Sequence, residues 1–216
     1  MDKTYGQYCG LARALDIVGD RWTLLIVREL LVGEAAYGGL QDGLPGIATN
    51  LLVERLRALE AHDIVERSGA RKATRYRLTK RGRDLQGAVH SLVRWGAPEM
   101  IRGPQRDVVR PAWLVVALGA LAVPTGIDAT IGFRVGDAVV TVNTRSAVSF
   151  LGNEVTVADV MVTTDVATAL GLATGALSVR SAVRSGRAAV QGGQLRAQTL
   201  LTALAGRSRR TSRLDE

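Results

Sequence analysis

Positions 67 to 83 hold eight basic residues and no acidic residue. The basic residues are Arg67, Arg71, Lys72, Arg75, Arg77, Lys80, Arg81 and Arg83. Like charges repel, and an ordinary solvated surface therefore interleaves both signs. Phosphate groups relieve this repulsion, because every phosphate contact releases counterions and makes binding strong and salt-dependent. The run predicts contact with a polyanion, although a solvated basic surface has the same composition.

A predicted helix just upstream of this run separates its side chains into two faces. At about 100° per residue, the leucines of residues 49–61 fall on one side and a mixed polar face lies opposite. The first face carries Leu52, Leu56 and Leu59, and the second carries Asn50, Val53, Glu54 and Arg57. Asparagine can bind adenine, and arginine can bind guanine or phosphate. Following a turn at residues 43–46, this helix is placed like the recognition helix of a helix-turn-helix.

Other elements are predicted around that helix. Apolar spacing predicts a helix over residues 9–18, with Leu11, Leu15 and Val18 on its apolar side. Asp20 is a suitable N-cap for a second helix, and Gly33 closes that helix. The first part of the chain is therefore predicted to be mainly helical before the basic run.

The basic run coincides with a predicted β-hairpin. Strands are predicted at residues 64–67 and 74–78, and residues 68–73 are predicted to form the tip between them. Thr79 is the predicted cap of a helix that runs to about Trp95. A helix-turn-helix followed at once by a basic hairpin is a winged helix, in which the wing grips the DNA backbone or minor groove. The residues predicted to contact DNA are Thr49, Asn50, Val53, Glu54, Arg57, Arg71, Lys72, Arg75 and Arg77.

Three separated blocks of the chain resemble HxlR-type winged-helix regulators. They are Cys9 to Leu30 (CGLARALDIVGDRWTLLIVREL), Gly43 to Leu52 (GLPGIATNLL) and Arg55 to Glu60 (RLRALE). The resemblance covers about residues 5–100, and the blocks follow the same order. It implies a homodimer formed through the terminal helices that binds double-stranded DNA at a roughly palindromic operator.

Cys9 is the single cysteine of the chain and has two interpretations. In some HxlR-type proteins the matching cysteine senses oxidants or electrophiles, and a helix start favours the thiolate that such chemistry needs. A lone cysteine is more often a small buried hydrophobic residue. A regulator switched through Cys9 is therefore an alternative to a regulator switched by a ligand.

The composition changes near residue 100, where charged residues become rare and Ala, Val, Gly and Thr dominate. We expect a domain at residues 1–100, a linker at 101–111, an α+β domain at 112–206 and a basic tail at 207–216. In the α+β domain, strands are predicted at 125–135, 138–144, 146–151, 157–163 and 188–190, with helices at 166–173, from Ser178 to Gly186, and at 194–205.

Part of this second half is similar to sterol-carrier-protein-2-like domains. The similar segments are Asp159 to Asp165 and Ala182 to Gly192. Domains of that family enclose a cavity for apolar ligands, and by analogy this domain is an effector-binding module. The candidate lining residues are Trp113, Phe133, Phe150, Met161, Leu170 and Leu172. The same residues also suit an ordinary core or an interface with a partner subunit.

Whole-chain properties limit the alternatives. The net charge of +8 favours an anionic partner, and the apolar run at residues 112–123 is shorter than the roughly 20 residues that span a bilayer. The N-terminus lacks the apolar stretch of a signal peptide, so a soluble cytoplasmic protein without stable membrane insertion is expected. Neither catalytic motifs nor metal-ligand spacings occur, so no enzyme activity, cofactor or metal is expected.

The fold class expected is α+β, with an N-terminal winged helix-turn-helix domain followed by a smaller domain that resembles sterol-carrier-protein-2-like domains. The function expected is that of a dimeric, sequence-specific DNA-binding regulator modulated by a small apolar ligand. A lipid carrier whose basic half docks on acidic membranes is a further alternative. That alternative gives no reason for the polar face of the helix at residues 49–61.

Overall fold

The computed structural model describes residues 4–69, 74–152 and 157–206, and the chain divides into two units. The N-terminal unit is Met1–Val89 and the C-terminal unit is His90–Glu216. The division falls inside a helix, Gln86–Gly96, whereas the sequence predicts a boundary after residue 100. The predicted basic tail at 207–216 and four tip residues of the wing, 70–73, lie outside the described residues.

The N-terminal unit is built from helices and a small antiparallel sheet. The described elements are α1 (Gly10–Val18), α2 (Thr23–Val32), β1 (Ala35–Ala36), α3 (Tyr37–Gly43), α4 (Thr49–Ala61), β2 (Val65–Ser68), β3 (Arg75–Leu78), α5 (Lys80–Asp84) and α6 (Gln86–Gly96). Their sheet has the order β1-β3-β2. The predicted helix at residues 49–61 and the hairpin are confirmed, and β1 is a short addition that pairs with β3.

Two predictions for the first helices are wrong. Leu11 and Leu15 are 68% and 39% exposed, because α1 buries Ala12 together with Val18, the one predicted apolar contact that is confirmed. Asp20 does not cap α2, which begins three residues later with Trp22 as its N-cap at φ 80°. The Asp20 carboxylate instead forms an ion pair with Arg55, at 3.0 Å.

The helix predicted from Thr79 to Trp95 is interrupted near its start. Thr79 is the N-cap as predicted, and its Oγ1 accepts a hydrogen bond of 3.0 Å from the Gly82 N–H. The first helix then ends at Leu85, whose N–H bonds to the Gly82 carbonyl three residues back rather than four. Such a bond tightens the last turn of a helix, so α5 and α6 are separate elements.

The described part of the C-terminal unit is a mixed sheet with helices. After the two short 3-10 helices Ala97–Arg102 and Pro111–Trp113, the elements are α7 (Leu114–Leu121), β4 (Thr130–Val135), β5 (Ala138–Asn143), β6 (Ser149–Gly152), β7 (Val160–Thr164), α8 (Val166–Ala173), α9 (Val179–Arg184), β8 (Ala188–Gln191) and α10 (Gln194–Leu204). The sheet order is β6-β5-β4-β7-β8, in which β4 and β7 are parallel. The mixed α and β composition agrees with the predicted class.

Alternating residues on one face of this sheet form a core. Phe133, Val140 and Val162 are fully buried and are register neighbours across the central strands, and Ile131 is fully buried two residues before Phe133 on β4. The Ser149 hydroxyl donates to the Val115 carbonyl and so joins β6 to α7. Burying this apolar face is the main stabilising contribution that the sheet and its helices make to each other.

Several strands of the structure begin later in the sequence than predicted. The strand predicted at residues 125–135 begins only at Thr130. The residues before it form an irregular segment, in which the Ile127 carbonyl accepts a hydrogen bond of 2.7 Å from the Thr144 hydroxyl. The strand predicted from Ser146 begins at Ser149, because the Asn143 side chain accepts from the Ser146 N–H at 3.0 Å and forms a turn. Strand β7 similarly begins at Val160 rather than 157.

We expect Gly82→Ala to destabilise the N-terminal unit by about 1–3 kcal/mol, the usual cost of overpacking. The added Cβ would lie 2.1 Å from the Ile64 carbonyl oxygen, which cannot move without disturbing the start of the hairpin. Gly87→Ala is the control, since its Cβ would meet nothing within 4 Å and alanine favours a helix. Urea unfolding followed by circular dichroism should lower the midpoint only for Gly82→Ala, and equal midpoints for both variants would contradict this packing.

Candidate nucleic-acid interface

Helix α4 is fixed by apolar packing on one side and by α3 at its start. Leu52, Leu56 and Leu59 are all buried, as the sequence predicts. At the N-terminus, the Tyr37 hydroxyl donates to the Thr49 carbonyl and the Gln41 amide donates to the Thr49 hydroxyl, both at 3.0 Å. These bonds set the angle between α3 and α4, which is the defining geometry of a helix-turn-helix.

The opposite face of α4 presents polar side chains to solvent. Asn50, Glu54 and Arg57 are exposed, and Val53 is half-buried. Among the described residues, neither the Asn50 amide nor the Arg57 guanidinium has a hydrogen-bond or ion-pair partner. Both groups are therefore available for base edges or phosphates, while Glu54 already pairs with Arg55 at 2.9 Å.

Arg55 is a functional candidate that the sequence does not single out. Its side chain is 18% exposed and reaches Asp20 in the turn between α1 and α2, at 3.0 Å, as well as Glu54. Since a half-buried guanidinium between two carboxylates is well held, this pair ties α4 to the turn before α2. Arg55 lies between the leucine face and the polar face of α4, and this intermediate position was the signal available in the sequence.

Strands β2 and β3 form the base of the wing. Tyr76 and Leu78 of β3 are buried, and the alternate residues Arg75 and Arg77 are exposed. The predicted contacts Arg71 and Lys72 lie outside the described residues. The structure therefore brings Arg75 and Arg77 to one solvent-facing side of the hairpin, close in sequence to the predicted tip.

Acidic side chains from outside the basic run at residues 67–83 pair with the arginines of the wing. Arg67 Nε lies 2.5 Å from Glu60 of α4, Arg75 Nε lies 3.0 Å from Glu34, and Arg77 Nε lies 2.8 Å from Glu66. The hydrogen bond and charge of Glu60 also raise the pKa of Arg67. We call Glu34, Glu60 and Glu66 the wing acids. The basic run is therefore partly neutralised, which the absence of acids between positions 67 and 83 does not suggest.

Cys9 stands outside the winged-helix core. It is exposed and forms the N-cap of α1, so it is not the buried residue of the second interpretation. Backbone N–H groups of Ala12 and then Leu11 lower the pKa of the Cys9 thiol. A lowered pKa increases the fraction of thiolate at neutral pH, and the thiolate is the nucleophilic form.

The six candidate ligand residues of the C-terminal unit differ in their surroundings. Phe133 and Leu172 are fully buried in the core between sheet and helices, whereas Trp113, Met161 and Leu170 are half-buried. Phe150, on the edge strand β6, is 58% exposed and so does not line the same space as Phe133. Their role in ligand binding stays a prediction.

Within residues 4–69, 74–152 and 157–206, no helix is both long and apolar enough to cross a membrane. No three His, Cys, Asp or Glu side chains of the described residues come together as a set of metal ligands.

We expect Glu34→Gln/Glu66→Gln to bind DNA more tightly than the unaltered chain. Neutralising these acids frees Arg75 and Arg77 for phosphates, and each exposed pair contributes about 0.2–1 kcal/mol, so affinity should rise up to about fivefold per pair. The slope of log affinity against log salt should also steepen by about 0.9 per new contact. Binding to a random duplex across salt concentrations measures both effects.

The control for the wing acids must remove one exposed carboxylate outside the wing. Glu99→Gln serves, since Glu99 is exposed in the 3-10 helix Ala97–Arg102. If Glu99→Gln raised affinity as much per charge as the double variant, overall charge rather than release of Arg75 and Arg77 would explain the change.

Comparison with known proteins identifies the family to which the N-terminal part of the chain is similar. The family model of HxlR-like helix-turn-helix proteins matches residues 17–103. An HTH-type transcriptional regulator of Synechocystis sp. (strain ATCC 27184 / PCC 6803 / Kazusa) is 35% identical over 95 residues, which are 43% of this chain and 70% of that regulator. A regulator of Mycobacterium tuberculosis (strain ATCC 25618 / H37Rv) is 43% identical over 89 residues, 40% of this chain but only 56% of its own length.

A third relative is the HTH-type transcriptional regulator YodB of Bacillus subtilis (strain 168), which is 32% identical over 85 residues. These residues are 38% of this chain and 76% of YodB. The crystal structure of quinone-bound YodB matches 41% of this chain and 96% of that chain, with 31% identity and a TM-score of 0.37. From the family match and the regulator of Synechocystis, the chain belongs to the HxlR-like helix-turn-helix family of DNA-binding transcriptional regulators.

Proposed function

We propose that this regulator binds a specific operator with α4 in the major groove and with the wing on the backbone or minor groove. The observation that carries this proposal is the arrangement of α4, with three buried leucines on one face and unpaired Asn50 and Arg57 on the other. A structural helix gains nothing from leaving such groups unpartnered next to a basic hairpin. A recognition helix requires them to be free before DNA arrives.

The same proposal includes a homodimer. Tyr8, Leu11 and Leu15 form an exposed apolar strip in and just before α1, and Leu92 and Trp95 are exposed on α6. Exposed apolar side chains concentrated on two helices support subunit contacts through those helices. A two-fold dimer would present two copies of α4 to a roughly palindromic operator, with half-sites about one helical turn apart. Such a protein acts where the DNA is, in the cytoplasm.

We expect Asn50→Ala/Arg57→Ala to lose preference for the operator while retaining nonspecific binding. Each base contact of this kind contributes about 1–3 kcal/mol of discrimination, so the preference should fall at least about tenfold. The measurement compares the intergenic DNA beside the regulator's own gene with a random duplex across salt concentrations. Gln105→Ala/Arg106→Ala, which likewise removes one amide and one guanidinium side chain but from an exposed segment outside α4, should leave the preference unchanged.

One result would oppose α4 as the recognition helix. If the unaltered chain binds intergenic and random DNA equally and with the same steep salt dependence, only electrostatic attraction remains. A basic protein that docks on acidic membranes and carries lipid would then be the better description.

The C-terminal unit is proposed to bind a small apolar effector. The half-buried Trp113, Met161 and Leu170 lie beside the fully buried core, so apolar surface reaches outward from the sheet. An effector regulates DNA binding only if it has different affinities for two states of the protein. The resemblance to sterol-carrier-protein-2-like domains supports this role by analogy.

A redox- or electrophile-sensing regulator is the second candidate function. The exposed Cys9 thiol at the start of α1, with its lowered pKa, favours this candidate, and YodB, a 32% identical relative, has been solved with a bound quinone. Because the chain holds one cysteine, oxidation to a disulfide would join two copies.

We expect Cys9→Ser to abolish any response of DNA binding to oxidants. If Cys9 is the sensor, diamide or a quinone lowers the operator affinity of the unaltered chain by tenfold or more. A tenfold loss of affinity corresponds to about 1.4 kcal/mol of binding free energy, which a modest change at the interface can supply. The serine variant keeps its affinity because it forms neither a disulfide nor a thiol adduct. An unaltered chain whose affinity ignores both reagents would eliminate this candidate.

A further inference from the structure

The end of the C-terminal unit carries positive charge without acidic neighbours in sequence. Residues 166–206 include four arginines and no aspartate or glutamate. Arg196 is neutralised, since its guanidinium lies 2.6 Å from the Asp159 carboxylate. The other three, Arg180, Arg184 and Arg187, are exposed on α9 and the turn after it, and we call them the α9 arginines. Among the described residues, no ion pair or hydrogen bond engages their guanidinium groups.

Local structure does not explain Arg180. It is the second residue of α9, where the positive end of the helix dipole disfavours a cation. Arg184 follows four residues later on the same side of the helix, and like charges at that spacing repel. Arg184 and Arg187 lie at the C-terminal end, where cations are favourable, so Arg180 alone of the three has no favourable interaction with the helix dipole.

The backbone that carries the α9 arginines is held by hydrogen bonds at both ends. The Ser178 hydroxyl accepts from the Ser181 N–H at 3.1 Å and so caps α9. After the helix, the Arg187 N–H donates to the Ala182 carbonyl at 2.9 Å, and the Thr164 hydroxyl donates to the Arg187 carbonyl at 2.7 Å. Gly186, at φ +71°, makes this turn. The three side chains are therefore presented from an ordered helix and turn.

We infer that the α9 arginines form a second contact with the phosphate backbone of bound DNA. This inference rests on the proposed function of the N-terminal unit. Once α4 and the wing hold a duplex, its phosphates are at high effective concentration for a cationic surface of the same chain that reaches them. Guanidinium groups bind phosphate oxygens with two parallel hydrogen bonds.

A membrane surface fits α9 less well. Interfacial helices bury an exposed apolar face among lipid chains in addition to their basic face. Val179 and Ala182 of α9 are buried in the protein, and Val183 is half-buried, so α9 offers no large exposed apolar side chain. The α9 arginines therefore fit DNA, the polyanion that the N-terminal unit is proposed to bind, better than they fit a lipid surface.

The test uses the full chain with Arg180→Gln/Arg184→Gln/Arg187→Gln and a random DNA duplex between about 50 and 200 mM salt. The slope of log affinity against log salt should become shallower by about 2 to 3, because each lost phosphate contact removes about 0.9. The control is Arg106→Gln/Arg145→Gln/Arg196→Gln, which removes the same formal charge from exposed arginines elsewhere in the C-terminal unit, two of which are paired with Asp128 and Asp159. Its slope should change by less than half as much.

Each outcome separates this inference from the proposed function. Equal slopes for the two triple variants overturn the inference and leave operator binding by α4 intact. Unchanged DNA binding by the α9 variant, with loss of binding to phosphatidylserine vesicles, overturns it in favour of a membrane surface. No DNA binding by the unaltered chain overturns the proposed function together with the inference. Circular dichroism of both variants verifies that they are folded.

Discussion

The orientation of α4 is the constraint on which the proposed mode of DNA recognition depends. Leu52, Leu56 and Leu59 fix the rotation of the helix about its axis, since any other rotation would expose three leucines to water. Tyr37 and Gln41 fix its N-terminus through Thr49, and Arg55 fixes its side through Asp20. Because these contacts come from three different segments, the polar face containing Asn50 and Arg57 is directed to solvent before any DNA is present.

The wing shows how a strongly basic surface can remain stable in the free protein and still bind phosphates. Its arginines would repel one another if left alone, and the wing acids reduce that repulsion in the free protein. The pairs of Glu34 and Glu66 are exposed, so each contributes little to folding and is readily exchanged for a phosphate. The hairpin register supports this arrangement, since Glu66 and Arg77 are direct cross-strand partners.

The sequence was sufficient where the determinants are local. The bounds of α4 and of α8 and the Thr79 cap follow from side-chain spacing and capping chemistry, and the structure shows them at the predicted residues. Helix α7 was not predicted, because it is apolar on all sides and lacks the periodicity that marks a helix. The pairs Arg75 with Glu34 and Arg55 with Asp20 join residues more than thirty positions apart, so only the folded chain shows them.

The wing acids also bear on how the regulator finds its operator in a genome. Random DNA offers mainly phosphates, and about 10⁶–10⁹ such sites compete with the operator. An intramolecular carboxylate competes with every phosphate for the same arginine, so it shortens the time spent on random sequence. The proposed contacts of Asn50 and Arg57 with bases would meet no such competitor, and residence at the operator would be reduced less. Partial neutralisation of the wing therefore trades total affinity for faster search and sharper discrimination.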